Sequence, residues 1–464
     1  MKKRMVYASK CGAVLDSDVL TGGGTDDTAV LQAVLDIAKD GTEGVCLIMD
    51  GAALVTGLKV YSNTTIRCLD DTCGFFMAPN SVGPLIQNGN RVFRGEAIDR
   101  YITLQGGTYN QDCLKQQRLV TFDDPTTGFS VYGDEEGKSH DLTVALLFVG
   151  VEHLNVLGVT LRDQCVYAAF LRNWKHVLFE NVLIDLPGKV HGTNQDGLHF
   201  HGPGQYLTLR NIRGSSSDDF IALGPDEEDR FASISDVLID GVQLYGADQA
   251  IRMLCCHEGR LDRVTVKNVT GVYRSFGFFI NPFFEDGTKP GCGYGNIVID
   301  TVNLKSEAID YTYTAPFLFR VGGHVEALTL RNIQHTHPRD NRYLVDVGLR
   351  FCEDHRVAPD WDPETLVDSL VIDGITAYED DASSASTEYV RVHSGCVQSL
   401  TLKNVNIVRK DSCGNGGALV HICEAAKVKN LNVSDVYAEK VDTLLNDESK
   451  NTGHVRMDNV CLVK

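Results

Sequence analysis

The sequence is short of cations, of proline and of any long apolar run, and each shortage removes a class of protein. With 43 Lys and Arg against 62 Asp and Glu, the formal charge is −19. That disfavours nucleic acid and anionic membrane surfaces, because each phosphate contact needs a cation. No stretch approaches the roughly 20 apolar residues of a membrane span. The opening "MKKRMVYASKCGAVLDSD" is basic, but no apolar stretch of signal-peptide length follows it, so the expectation is a cytoplasmic protein. Fourteen cysteines are scattered from Cys11 to Cys461 without metal-type CxxC spacing, and the one close pair, Cys255 and Cys256, are sequence neighbours. They read as buried thiols in a reducing compartment, and the sequence calls for no cofactor and no metal. With only 12 prolines and 43% apolar residues in 464, disorder is excluded and a large core is expected.

What is present is a repeat. A six-residue phrase, apolar-x-apolar-x-(Asn/Asp/Gly)-(Val/Ile), begins at Leu154, Val177, Leu207, Val237, Val264, Ile297, Leu328, Leu370, Leu400, Leu431 and Val455, at intervals of 23 to 42 residues, most of them near 30. Its alternation and β-branched content mean strand. A second short strand pattern lies between successive phrases, as in "DGLHFHG", "DDFIALG", "DQAIRML" and "FGFFINP". Helical periodicity is missing in these intervals. The pattern predicts an all-β fold, a β-solenoid whose coils cover one another's apolar faces. The Asn or Asp recurring near the end of the phrase marks a sharp turn, where the left-handed conformation is tolerated and the side chain can bond its own backbone.

The N-terminal segment differs. "GGGTDDTAVLQAVLDIAKDG" has acids at Asp26 and Asp27, apolar Val30, Leu31, Val34, Leu35, Ile37 and Ala38 at helical spacing, and Gly41 as a stop. It predicts a capping helix over about 26–39 within a cap region of about 1–45. No linker marks a second domain, so a single domain over 1–464 is expected. Residues 120–142, 282–295 and 351–367 lack strand pattern and read as long loops, the usual walls of a substrate site.

In a solenoid, equivalent positions of successive coils lie about 4.8 Å apart. Counted from the phrase starts, and allowing an inserted turn at "GKVHGTN", Asp196, the Asp218/Asp219 pair and Asp248/Gln249 form a column on one face. Alternation then puts Leu198, Phe200, Ile221, Leu223 and Ile251 inward, with His199, His201 and Arg252 outward beside the carboxylates. The histidines read either as substrate contacts or as polar residues of an exposed strand face, and Arg252 either as a ligand contact or as a neutralising charge. The run "GPDEEDR" at 224–230 lacks EF-hand spacing and reads as a surface acid cluster.

The pair "NQDG" (Asn194–Gly197) and, about twenty residues on, "SDDFIAL" resembles the Asn-Thr-Asp-Gly and Gly-Asp-Asp motifs of the polygalacturonases, glycoside hydrolase family 28. "TDDTAVLQAVLDIA" is likewise similar to the N-terminal segment of pectin-active right-handed parallel β-helices. The resemblance implies a right-handed parallel β-helix and an inverting glycosidase acting on an oligosaccharide. It assigns Asp218 as the acid that protonates the leaving oxygen, and Asp196 and Asp219 as the groups that hold and deprotonate water. Inverting enzymes separate their carboxyls by about 6.5–9.5 Å to admit that water, a distance that coil spacing and side-chain reach can supply. Asn194, His199, His201, Asp248, Gln249 and Arg252 are the expected substrate contacts. The family's Gly-His-Gly and Arg-Ile-Lys are absent; Arg252 or Arg320, and His199 or His201, stand as replacements. Blockage of the groove by the long loops would make the action exo. Two other classes share such a fold: lyases or uronate epimerases, which would recruit Arg252, His199 or Tyr206 to abstract a proton, and noncatalytic carbohydrate-binding or fibre proteins. Oligomeric state is left open.

Overall fold

Alternation produces strands here, and the strands stack in parallel, rung on rung. The computed structural model describes residues 3–81, 83–116, 144–188, 195–227, 229–255, 257–282, 293–307, 317–336, 343–348, 365–379, 388–410 and 413–464. They fall into two compact units, Met1–Ala222 and Leu223–Lys464. Strand makes up 65% of the described residues and helix 4%, which leaves no place among them for alternating strands and helices. The fold is the right-handed parallel β-helix expected. The loop expected at 120–142 lies outside the described residues, as do most of those at 282–295 and 351–367. Their C-terminal ends are strand, since Gly293 and Leu366 open strands.

In the first unit, strand Lys3–Tyr7 pairs in parallel with Gly44–Met49. The helix is shorter than the sequence suggests, Thr28–Leu35, and ends in a tighter 3-10 turn over Asp36–Ala38. The reason lies at its start. Asp26 accepts the Thr28 backbone N–H at 2.9 Å, while the Asp27 carboxylate turns away to accept those of Val14 and Leu15 at 2.7 and 2.9 Å. Leu31, Val34, Leu35 and Ala38 are buried as their spacing requires, and the helix packs on the strands Gly44–Met49 and Leu58–Val60. Farther along, Leu146–Leu157, Ala169–Glu180 and Leu198–Gly214 stack so that the phrase starts Leu154, Val177 and Leu207 are direct partners.

The second unit keeps the same register through eight phrases: Val237, Val264, Ile297, Leu328, Leu370, Leu400, Leu431 and Val455 form one column. All but the last are buried, and Val455 is exposed on the final rung. Inside, Phe278 and Phe319 stack at 4.8 Å between ring centres, a geometry worth about 0.5–1.5 kcal/mol beyond the area it buries.

The fifth phrase position has positive φ, between 50° and 84°, in all eleven phrases, so the turn reading holds at every coil. What the side chain bonds is different. It reaches the neighbouring coil, not its own backbone. In the first unit Asn211 donates to the Asn181 Oδ1 at 3.0 Å. In the second, Asn268, Asn332 and Asn404 donate to Asp240, Asp300 and Asp373 at 2.8, 2.8 and 2.7 Å. The residue before each of these asparagines is a cation paired with the same carboxylate: Lys267 with Asp240, Arg331 with Asp300, Lys403 with Asp373. Asn404 above all, then Lys403, hold the Asp373 carboxyl below its ordinary value. Asn332→Ala should therefore lose both a left-handed residue and an amide bond to a charged acceptor, about 2–3 kcal/mol together. Asn332→Gly should recover the conformational part, and urea unfolding of the two variants separates the contributions.

Candidate active site

The site is built where two coils of the first unit meet out of step. In a regular parallel ladder one residue both donates to and accepts from the strand that flanks it. Opposite Asp196, however, Ser217 N–H donates to the Gln195 carbonyl at 3.2 Å while Gly197 N–H donates to the Asp219 carbonyl at 2.9 Å. Donor and acceptor are two residues apart, so the chain bulges outward at Asp218. The Ser216 hydroxyl donates to the Asp218 carbonyl at 2.7 Å and the Ser217 hydroxyl to Gln195 Oε1 at 3.2 Å, which is why serines precede the aspartate pair. Asp218 is left half-buried, whereas Asp196 and Asp219 are each 3% exposed. Gly197 is dictated by the same approach: a β-carbon there would lie 2.3 Å from the Phe220 carbonyl oxygen.

The strand that follows Gly197 carries the histidines. His199 Nδ1 lies 2.7 Å from Asp196 Oδ2, and His201 Nε2 lies 2.9 Å from His199 Nε2. A carboxylate facing Nδ1 makes that nitrogen the donor. With both imidazoles neutral, His199 Nε2 then accepts from His201 Nε2–H, a continuous relay from carboxylate to second ring. Trp174 fixes the far end by donating its indole N–H to the His201 carbonyl at 2.9 Å. Both histidines are buried, His201 completely, so the exposed strand face considered for them is not what forms.

They are buried by the preceding rung, whose residues the sequence reading passed over. Phe170 is the register partner of His199 and Arg172 that of His201. Tyr167 stacks on His199 at 4.4 Å, and Phe170 meets His201 edge-on at 4.9 Å. Tyr167 and Phe170 continue into an apolar cluster with Val144, Leu147 and Val149. Arg172 is 4% exposed, with its guanidinium 5.2 Å over the Phe93 ring. The signal for these residues was available: reading the ladder back one coil from "HFH" lands on "FLR". The first unit thus joins buried carboxylates, two coupled imidazoles, a half-buried carboxylate on a bulge, and an aromatic wall. This is a set able to give and take protons beside an apolar surface.

The remaining expected contacts belong to the second unit, except Asn194, which lies outside the described residues. Asp248 is buried and paired with Arg274 Nε at 2.8 Å, and burial pushes the Arg274 guanidinium below its ordinary value. Gln249 is buried in register with Phe276. Arg252 is buried with its guanidinium 5.4 Å over Phe279. Arg320 stacks 4.0 Å over Phe317 and sits 3.6 Å from Asp346. Asp226 corrects the surface-acid reading of its run. It is fully buried, and its Oδ2 accepts the backbone N–H groups of His257 and Gly259 at 2.7 and 2.9 Å. The strand ends were too irregular there for alternation to show it.

Glu152, His153 and His176 also lie close together in the first unit. The two imidazoles, though, stack face to face at 4.7 Å inside a ladder that runs Tyr101, His153, His176, Tyr206, and rings so stacked point their nitrogens along parallel planes, not toward one centre.

No protein-family model matches the chain, and no curated protein matches it. Solved structures do. The mannuronan C-5 epimerase AlgE6 A-module of Azotobacter vinelandii is similar over 98% of this chain and 99% of its own, at 10% identity and a TM-score of 0.54. A DFA-IIIase of Arthrobacter chlorophenolicus A6 is similar over 98% and 99%, at 8% identity and 0.51. An exopolygalacturonase of Thermotoga maritima is similar over 100% and 92%, at 13% identity and 0.49. What the first two likenesses establish is a common fold, the right-handed parallel β-helix.

Proposed function

We propose that the protein is a glycoside hydrolase that cleaves an oligosaccharide with inversion, using Asp218 as proton donor and Asp196 with Asp219 to bind and deprotonate water. The observation that carries this is the bulge. It lifts one carboxylate of the trio toward solvent, where a glycosidic oxygen can reach it, and leaves the other two buried on neighbouring rungs. An acid and a base need different surroundings to hold different protonation states, and one half-exposed group beside two enclosed ones provides that difference. His199 orients the Asp196 carboxylate through its 2.7 Å contact. Tyr167 and Phe170 offer the flat apolar surface on which sugar rings pack. In place of the absent Arg-Ile-Lys, Arg172 is the cation in register beside the histidines, so an acidic, pectin-derived sugar fits the reading.

A lyase or epimerase is the second reading, and the coupled His199 and His201 are what favour it, since an imidazole relay could remove a proton α to a carboxylate. Proton NMR of the first product from a panel of plant and pectin oligosaccharides decides between them. The expected product has the inverted anomeric configuration. Retention overturns the mechanism, an unsaturated product absorbing in the ultraviolet selects the lyase, and binding without turnover selects a noncatalytic β-helix. The cytoplasm belongs to the same proposal, with buried thiols such as Cys68 and Cys73 in its support and an imported oligosaccharide as substrate.

A further inference from the structure

The last coils of the second unit carry a side-chain cluster that sugar cleavage does not use. His421 is the penultimate residue of the strand Gly416–Ile422, and Cys423, two residues on, projects to the same side. The next rung, Val441–Asp447, places Asn446 opposite His421 and Asp447 opposite Ile422. Glu448 follows, its backbone N–H donating to the Ile422 carbonyl at 2.9 Å. Residues twenty-five apart in sequence therefore converge. His421 Nε2 lies 3.3 Å from Glu448 Oε1 and 3.8 Å from Cys423 Sγ, and one ligand atom from each of the three falls within 4.8 Å of the others.

The nitrogen–oxygen separation fits a tetrahedral ion, and the nitrogen–sulfur separation is a few tenths of an ångström longer than such an ion would set. Bonds of about 2.05 Å to nitrogen and oxygen and 2.3 Å to sulfur, opened to the tetrahedral angle, place nitrogen about 3.3–3.4 Å from oxygen and about 3.5–3.6 Å from sulfur. The other face of the ring supplies an independent sign. His421 Nδ1 lies 2.7 Å from Glu388 Oε1 on the preceding rung, the carboxylate–imidazole contact that fixes the tautomer and orientation of a metal-binding histidine. The nearest cation in register, Arg391, is already committed: it holds both oxygens of Asp346 at 2.8 Å and lies 3.6 Å over the Tyr343 ring. The Glu448 side chain is 51% exposed and that of His421 11%, so an ion has a way in and a mostly enclosed seat.

We propose that His421 Nε2, Cys423 Sγ and the Glu448 carboxylate form a site for zinc or a similar divalent transition ion, with Glu388 as the positioning residue. A thiolate, a carboxylate and a neutral imidazole balance the charge of a divalent ion, and a nitrogen, sulfur and oxygen set favours zinc over magnesium or calcium. The ion would clamp the turn after Ile422 to the rung below it.

The test uses the full-length protein, dialysed against chelator and titrated separately with Zn(II) and Co(II). About one equivalent should bind, and the cobalt form should show strong near-ultraviolet sulfur-to-metal charge transfer. Cys423→Ser should abolish that absorption, and Glu388→Gln should weaken zinc binding by about 10- to 100-fold. Circular dichroism of each variant checks folding, and Glu448→Gln, at an exposed side chain, gives a second perturbation that should also weaken binding. The proposal is overturned by cobalt spectra without thiolate character, by a band that survives in Cys423→Ser, or by zinc affinity unchanged in Glu388→Gln and Glu448→Gln.

Discussion

Asp218→Asn is expected to lower turnover by about 10²-fold or more, the scale of general acid catalysis, while substrate affinity stays within a few fold. The exchange is isosteric, and the contact that shapes the bulge is made to the Asp218 backbone carbonyl by Ser216, so the site should keep its form. The diagnostic is the leaving group. On an aryl glycoside whose phenolate departs without a proton, the defect of Asp218→Asn should shrink markedly. Asp196→Asn and Asp219→Asn should stay slow on both substrates, because the water would still lack its base. Equal defects for Asp218→Asn on both substrates would remove Asp218 from the role of acid.

The second large effect is expected at His199, which touches Asp196 and acts through it. His199→Phe keeps a flat ring beside Tyr167, where the imidazole now stacks at 4.4 Å, but takes the donor from Asp196 and the partner from His201. A hydrogen bond to a buried charged group is worth about 1.5–3 kcal/mol, so kcat should fall by about 10- to 100-fold with KM little changed. His199→Asn has an amide N–H close to the position of Nδ1 and should recover much of that loss, although it packs worse against the aromatic wall. The order therefore separates positioning from packing. If Phe outperforms Asn, His199 matters for its ring alone.

Much of the fold was legible because a solenoid repeats its errors and its signals alike. The phrase starts Val237 to Val455 are direct ladder partners, and the turn position was marked by Asn, Asp or Gly in ten of the eleven phrases, Thr301 being the other. The helix was placed correctly and drawn too long, since acids at Asp26 and Asp27 look equivalent as letters although only Asp26 bonds the first turn. The site was half legible. Motif spacing brought Asp196 opposite Asp218 and Asp219, but alternation distinguishes only inward from outward. It cannot say that an outward histidine is enclosed, because Tyr167 and Phe170 on another rung do the enclosing. Nor does it announce a bulge, which breaks the very period being counted. The cluster at His421 escaped for a related reason: its ligands are adjacent only across a rung.

The first six turns of the second unit alternate acid and base. Asp240, Asp300 and Asp373 each receive both the asparagine and the cation of the coil that follows: Lys267 and Asn268, Arg331 and Asn332, Lys403 and Asn404. Each exposed contact contributes only about 0.2–1 kcal/mol, yet together they tie the turns in twos, while the junctions between are bridged away from the turns, as where the Asn296 backbone N–H donates to Asp262 Oδ1 at 2.9 Å and Asn430 donates to the Gln398 carbonyl at 2.9 Å. In a stack whose energetics run between nearest neighbours, the turn edge is thus a chain of alternating bridged and unbridged steps. Local opening should then proceed by pairs of coils, and native-state hydrogen exchange should show protection falling in steps of about sixty residues, the weaker junctions marking the edges of each cooperative block.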